Sequence, residues 1–165
     1  VIDIDAEKLI KKLESLGAEK IKDQDLYAEY YDFDDNRLHN NKQYLRLRKE
    51  GDKVVLGYKR TISRDVVKEM EEIETTTDDF SKAKAIILAI GMKVRRTHEK
   101  HRTSYRYKNA LFEFDDFETI PTFMEIEAEN KDTIFSLTDE LGIAKEQIKP
   151  WKTSDVFKHY GVKQP

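Results

Sequence analysis

"QYLRLRKEGDKVVLGYKR", residues 43–60, decides the fold. Leu45 and Leu47 alternate with Tyr44, Arg46 and Arg48. After Glu50-Gly51-Asp52, Val54, Leu56 and Tyr58 alternate with Val55, Gly57 and Lys59. Successive side chains of a strand point to opposite faces, so period-two patterning marks strands. The segment reads as a hairpin with one apolar face and a second face bearing Arg46, Arg48 and Lys59.

Period two continues outward from the hairpin. Strands are expected over residues 26–33, 43–49, 53–60, 66–76, 93–107, 110–117 and 122–128, with Lys108-Asn109 as a tight turn. Helical spacing interrupts them. Leu9, Ile10, Leu13 and Leu16 follow Asp5 as N-cap and stop at Gly17. Ala83, Ile86, Ile87 and Ile90 follow Asp78 or Asp79 and stop at Gly91. Ile134, Leu137 and Leu141 form a third helix, capped near Asp132 and stopped by Gly142. A short fourth is expected over 155–160, and residues 34–42 read as a loop. Caps before and glycines after an apolar period of about 3.6 are the usual helix boundaries. Helix, four strands, helix, three strands, helix is an α+β order with an antiparallel sheet.

Composition narrows the chemistry. The chain has 165 residues, enough for a single domain over 1–165 with a real core. Charged residues make up 38%, against about 25% in an ordinary domain. The net charge is only -3, so both signs are in excess together, unlike a binder of nucleic acid polymers. No apolar run is long enough to span a membrane, and the first residues carry no secretory signal. There is no cysteine, which excludes disulfides, thiol catalysis and thiolate ligands. A cytoplasmic location is the expectation.

Sorting strand residues by parity gives two faces. Leu45, Leu47, Val54, Leu56, Tyr58, Phe112, Phe114, Met124 and Ile126 share the apolar one. The other collects Arg46, Arg48, Lys59, Lys100, Arg102 and Arg106 with Glu72, Glu74, Glu113, Asp115, Glu125 and Glu127. Such a face either meets water with its charges paired across strands, or lines a sheet closed into a barrel with a polar lumen. Inside a lumen, charges of both signs need partners. A polyanion bridged to carboxylates by divalent cations satisfies both sets. Arginine forks match phosphate, and Mg²⁺ or Mn²⁺ prefers carboxylate oxygen. There is no Gly-rich phosphate loop, so side chains must do the gripping. Arg106 and Glu113 are expected towards a rim. His98 and His101, three apart on a strand, fall on opposite faces and do not suit one metal. Tyr27, Tyr30 and Tyr31 are expected on or near an edge, and Trp151 in packing beside Pro150.

The motifs, taken in order, resemble the triphosphate tunnel metalloenzymes, or CYTH superfamily, over nearly the whole chain. "LRLR" at 45–48 resembles the family's Arg-x-Arg strand and "GYKR" at 57–60 its lysine strand. "EEIE" at 71–74 resembles the acidic mid-chain strand, and "HEKHRTSY" at 98–105 the Glu-Lys-x-Arg segment. "FDDFETIPTFMEIE" at 114–127 is similar to the aspartate strand followed by Phe-x-Glu-Ile-Glu, and "KTSDVF" at 152–157 to a basic C-terminal segment. Two features depart from the pattern. Pro121 stands where the family has glycine, and "VIDID" at 1–5 leads into the first helix without the Glu-x-Glu-x-Lys strand. That motif is expected just upstream of Val1.

The resemblance implies an eight-stranded antiparallel barrel, a triphosphate tunnel, with flanking helices and a truncated first strand. It implies that Arg46, Arg48, Lys59, Lys100, Arg102 and Lys152 bind triphosphate. Glu125 and Glu127 would hold Mg²⁺ or Mn²⁺, with Asp115, Glu72 and Glu74 as further ligands. It names no catalytic base. The implied partner is a small triphosphate-containing molecule or inorganic polyphosphate, and a homodimer is compatible with this reading. The implied function is a metal-dependent phosphohydrolase. The alternatives are a class IV-type adenylate cyclase making cyclic AMP and pyrophosphate, or a non-catalytic polyphosphate- or nucleotide-binding module.

Overall fold

The computed structural model describes residues 1–65 and 67–164. Val66, where the fourth strand was expected to begin, lies outside the described residues. Among them the chain forms α1 (Ala6–Ser15), β1 (Glu19–Asp32), α2 (Arg37–Asn40), β2 (Gln43–Glu50), β3 (Lys53–Ser63) and β4 (Glu69–Thr77). Then come α3 (Phe80–Ala89), β5 (Lys93–Tyr107), β6 (Ala110–Phe117), β7 (Ile120–Ala128) and α4 (Lys131–Leu141). A 3₁₀ turn (Lys145–Gln147) and α5 (Thr153–His159) complete it. The strand order is β4-β3-β2-β1-β5-β6-β7. The class is α+β with antiparallel pairing and flanking helices, as expected. The described strands number seven rather than eight.

The helix boundaries follow local chemistry. Asp5 caps α1 by accepting from Lys8 N–H, and Asp79 caps α3 by accepting from Lys82 N–H. Asn130, not Asp132, caps α4, because its side chain reaches Thr133 N–H and Oγ1. An uncapped helix start leaves backbone donors unsatisfied, at a cost of about 1 kcal/mol. Gly142 ends α4 at φ +73°, a left-handed conformation that glycine adopts without strain.

Two compact units divide the chain. One holds residues 1–24 and 100–164, the other residues 25–99. In the first, β5, β6 and β7 are antiparallel, with Arg102 opposite Asp115 and Glu113 opposite Glu125. α1 and α4 cover one face. Leu13, Leu137 and Leu141 bury against Tyr105, Phe112, Phe114 and Met124. Truncating one of these leucines to alanine would cost roughly 2–5 kcal/mol. A second cluster sets Val156 and Phe157 of α5 on Phe117, Ile120 and Phe123. Val1 exchanges both backbone hydrogen bonds with Met124 of β7.

In the second unit, β2 pairs with β1 on one side and β3 on the other, and β3 pairs with β4. Leu47, Val54, Tyr31 and Ile87 bury together. Only part of the apolar pattern of α3 is used. Ala83 and Ile87 meet the sheet, while Ile86 and Ile90 are 64% and 60% exposed. Positions four apart share one helix face, and the outer pair lies on the other.

Beneath α3 sits Glu29, buried to 3% exposure. It accepts hydrogen bonds from Tyr27 at 2.8 Å, from Tyr31, and from Lys84 of α3 at 2.8 Å. Burial alone would raise the Glu29 pKa, but these three donors outweigh it and hold it below its ordinary value. Burial and the neighbouring Glu29 raise Tyr27 to about 12. Tyr27 and Tyr31 therefore lie under a helix, and β1 has neighbours on both sides. That corrects the expectation of an edge.

β1 also begins seven residues before the expected Leu26. Residues 19–25, "EKIKDQD", lack apolar alternation, and the strand is held there by polar contacts. Asp23 meets Lys20 at 2.8 Å and His101 of β5 at 2.8 Å.

Candidate functional site

The charged face carries a cluster in each unit, and each is built from strand register. In residues 25–99, Arg46 lies opposite Gly57 and Gly57 opposite Glu74. Glycine leaves open the space between the outer two side chains. A Cβ on Gly57 would stand 2.9 Å from Glu74 Oε1. Through that opening Arg46 Nη2 donates to Glu74 Oε1 at 2.9 Å. Glu74 also lies 3.9 Å from Arg48 Nη2 and 3.9 Å from Lys59 Nζ. Lys59 pairs with Glu72 at 2.5 Å, and Arg48 Nε pairs with Glu50. The three basic side chains are about one-tenth exposed, whereas Glu74 is one-third exposed. Burial opposes the charge on Arg46, but Tyr30, Tyr44 and Glu74 around it outweigh burial and raise its pKa. All five residues named from sequence here, Arg46, Arg48, Lys59, Glu72 and Glu74, are brought together.

Aromatic groups flank this row. Tyr30, opposite Arg46, has Tyr44 at 5.4 Å, His98 at 4.8 Å and the Arg96 guanidinium at 4.2 Å from its ring. His98 is thus a packing residue, and His101 pairs with Asp23.

In the unit of residues 1–24 and 100–164, Arg102 is the centre. Its Nε and Nη2 donate to the two oxygens of Asp115 at 2.6 and 2.7 Å. Nη1 pairs with Glu113, and Nη2 also reaches Glu125 at 2.9 Å. Lys100 donates to Asp115 at 2.5 Å. Asp115 is fully buried and Arg102 is 6% exposed. Burial lowers the Arg102 pKa, but Asp115, Glu125 and Glu113 together raise it well above its ordinary value.

Lys100, Arg102, Asp115 and Glu125, all named from sequence, therefore meet one another. Glu113, expected at a rim, is 3% exposed and joins them, also accepting from Ser104 at 3.4 Å. It shares the parity of Asp115 in "FEFDDF", which was the available signal. Glu127 follows Glu125 on the same strand face but is exposed. Lys152 is exposed at the start of α5.

Carboxylate oxygens are the donors that Mg²⁺ and Mn²⁺ prefer, so the residue types suit such an ion. As the side chains stand, Glu113, Asp115 and Glu125 converge on a guanidinium. No group of three or more His, Asp or Glu is arranged around a common cation position among the described residues. No helix is long and apolar enough to cross a membrane among them either.

Comparison with known proteins agrees with this architecture. The profile described as the CYTH domain matches residues 1–148. A protein of Methanocaldococcus jannaschii named "Putative adenylate cyclase MJ0240" is 27% identical over 154 residues, covering 93% of this chain and 86% of that protein. The PH1012 protein of Pyrococcus horikoshii superposes with a TM-score of 0.79 at 23% identity, covering 93% of this chain and 94% of the other. HpAC1 of Hippeastrum, an adenylyl cyclase-named protein described as having a dominant triphosphatase activity, superposes with a TM-score of 0.69. There the identity is 15%, over 98% of this chain and 94% of the other.

Proposed function

The chain belongs to the CYTH domain family, and from that premise we propose that it is a metal-dependent phosphohydrolase acting on an organic or inorganic triphosphate. The observation that carries the proposal is the row of Arg46, Arg48 and Lys59, three cations gathered on one carboxylate, Glu74. A triphosphate offers more oxygens and more charge than that carboxylate. Arginine forks would hold its phosphates and Lys59 would add a point charge. Lys100 and Arg102 are proposed to join the grip, and Lys152 less directly, from its exposed position.

Glu125, Glu127 and Asp115 would hold the divalent ion, with Glu72 and Glu74 as further candidates. When bound, such an ion neutralises phosphate oxygens and lowers the pKa of a bound water. The protein's own part is positioning and charge stabilisation, which dominate phosphoryl transfer. In hydrolysis a water oxygen forms the new bond to the terminal phosphorus, and the bridging oxygen leaves with the remaining diphosphate.

A second activity is kept in view because the Methanocaldococcus relative is named as an adenylate cyclase. In that reaction the ribose 3′-hydroxyl replaces water and attacks the α-phosphorus, releasing pyrophosphate. Both reactions need the same phosphate grip, so product identity separates them. ATP and metal, followed by chromatography, should give ADP and phosphate for the hydrolase. Cyclic AMP with pyrophosphate would assign the cyclase, and binding without either product would leave a binding module.

A further inference from the structure

We propose that the outer face of α3 is an interface on which two copies of this chain pair, their α3 helices antiparallel about a two-fold axis at Ile86.

The outward side of a surface helix ordinarily carries charged and polar residues, and a helix that is apolar all round is one that something covers. In α3, Ala83 and Ile87 are taken up by the sheet and Lys84 by Glu29. Away from the sheet, Ala85, Ile86, Leu88, Ala89 and Ile90 are all exposed. Residues 85–92, "AIILAIGM", hold no charged or polar side chain, in a chain that is 38% charged. Positions 82, 85, 86, 89 and 90 recur at intervals of three and four, so they share one side of the helix. Lys82 heads this stripe, and the rest of it is apolar.

The stripe fits a reversed copy of itself. Lys82 is 84% exposed and paired with Asp79 at 3.3 Å, a surface contact of little energetic worth. The last turn of α3 has no basic residue to meet the negative end of the helix dipole. Lys82 and Ile90 each stand four residues from Ile86. Antiparallel pairing centred there sets Lys82 of each copy against the last turn of the other, and Ile86 against Ile86. Outside the helix, Asp78 precedes it and Lys93, which also meets Asp34, follows it, both exposed. Reversal therefore brings opposite charges together at the ends as well. Parallel pairing would stack Lys82 on Lys82. A two-fold contact repeats each meeting of two residues with the copies exchanged, as this pattern requires. Ala85 and Ala89 leave room for the helices to approach closely.

The test uses the full chain. A ten-residue helix covers less than the roughly 1,200–2,000 Å² of a standard interface, so the pair is reversible. Sedimentation velocity from about 1 µM to about 1 mM, where a modest interface dissociates, should show monomer passing to dimer. Ile86→Glu, at an exposed position, should keep the wild-type circular dichroism and melting temperature. It should raise the dimer dissociation constant roughly a hundredfold or more, because two like charges meet at the axis. A wild type that stays monomeric throughout overturns the proposal and leaves the face to a different partner. A folded Ile86→Glu protein that dimerises as the wild type does overturns it too, since the copies then meet elsewhere.

Disulfide trapping reads the geometry, and holds even where Ile86→Glu does not fold. The chain has no cysteine of its own, so introduced thiols are the only ones present. A disulfide needs Cα atoms within about 7 Å of each other. Ile86→Cys should form a covalent dimer on mild oxidation. Lys82→Cys and Ile90→Cys, about 12 Å apart along the helix, should each stay monomeric alone and cross-link when mixed. No covalent dimer of Ile86→Cys, or Lys82→Cys linking to itself without a mixed product, would overturn the antiparallel pairing.

Discussion

Arg46 and Glu74 meet at 2.9 Å from strands β2 and β4, with Gly57 of β3 between their backbones. Glycine at that position leaves room for the Glu74 carboxylate where it stands. A Cβ there would lie 2.9 Å from Glu74 Oε1, and the carboxylate would have to move. Glu74 is thereby held where Arg48 and Lys59 also approach it, and one acidic side chain gathers the basic row.

Glu74 and a phosphate group would compete for the same cations. Glu74→Gln should therefore bind tripolyphosphate more tightly than wild type in EDTA. The ion pair is partly exposed, so its loss is worth about 1 kcal/mol, or roughly fivefold in affinity. Isothermal titration would show it. Unchanged or weaker binding in EDTA would mean that Arg46 is not a phosphate contact.

Removing the cations should do the opposite. In Arg46→Ala, Arg48→Ala, each lost charge-assisted contact is expected to cost about 1.5–3 kcal/mol of tripolyphosphate binding. Titration of the double variant should show a loss of at least a hundredfold. Binding equal to wild type would remove the proposed grip.

The carboxylates proposed to hold the metal should show themselves through metal dependence. Glu125→Gln and Glu127→Gln are expected to raise the Mn²⁺ concentration needed for half-maximal turnover by about tenfold or more. Glu125 also touches Arg102, so its variant should lose thermal stability as well. Glu127 is exposed and should not. Turnover with unaltered metal dependence in both would place the ion elsewhere.

Acid stability is expected to report on Glu29, away from the charged face. Its folded-state pKa is lowered, so the unfolded chain binds the proton more readily. The stabilisation is full above the unfolded value of about 4.3 and fades as pH falls through the folded value. Thermal melts from pH 6 to pH 3 should fall more steeply for wild type than for Glu29→Gln. Parallel curves would contradict the role given to the Lys84, Tyr31 and Tyr27 donors.

Much of this was legible in the sequence because strand parity is strict. The segment at 43–60 placed Arg46, Arg48 and Lys59 on one face without further information. Parity also put Glu113 beside Asp115, but it cannot say which inward carboxylate lies deep and which lies at a rim. Depth depends on tertiary packing, which parity does not carry. The first half of β1 was hidden for a different reason. Its residues pair through polar contacts such as Asp23 with His101, and polar pairing leaves no apolar period to read. The apolar repeat in α3 overstated its buried face, since Ile86 and Ile90 continue the period on the solvent side. Gly57 was visible as a letter, but its purpose appears only when the registers of three strands are combined.

The central claim is metal-dependent cleavage of a triphosphate. The most direct test incubates the protein with tripolyphosphate or ATP, with Mn²⁺ or with EDTA, and resolves the products by ion-exchange chromatography. The account predicts phosphate with diphosphate from tripolyphosphate, and phosphate with ADP from ATP, in the presence of Mn²⁺ only. Intact substrates under both conditions, or products that form equally well in EDTA, would contradict it.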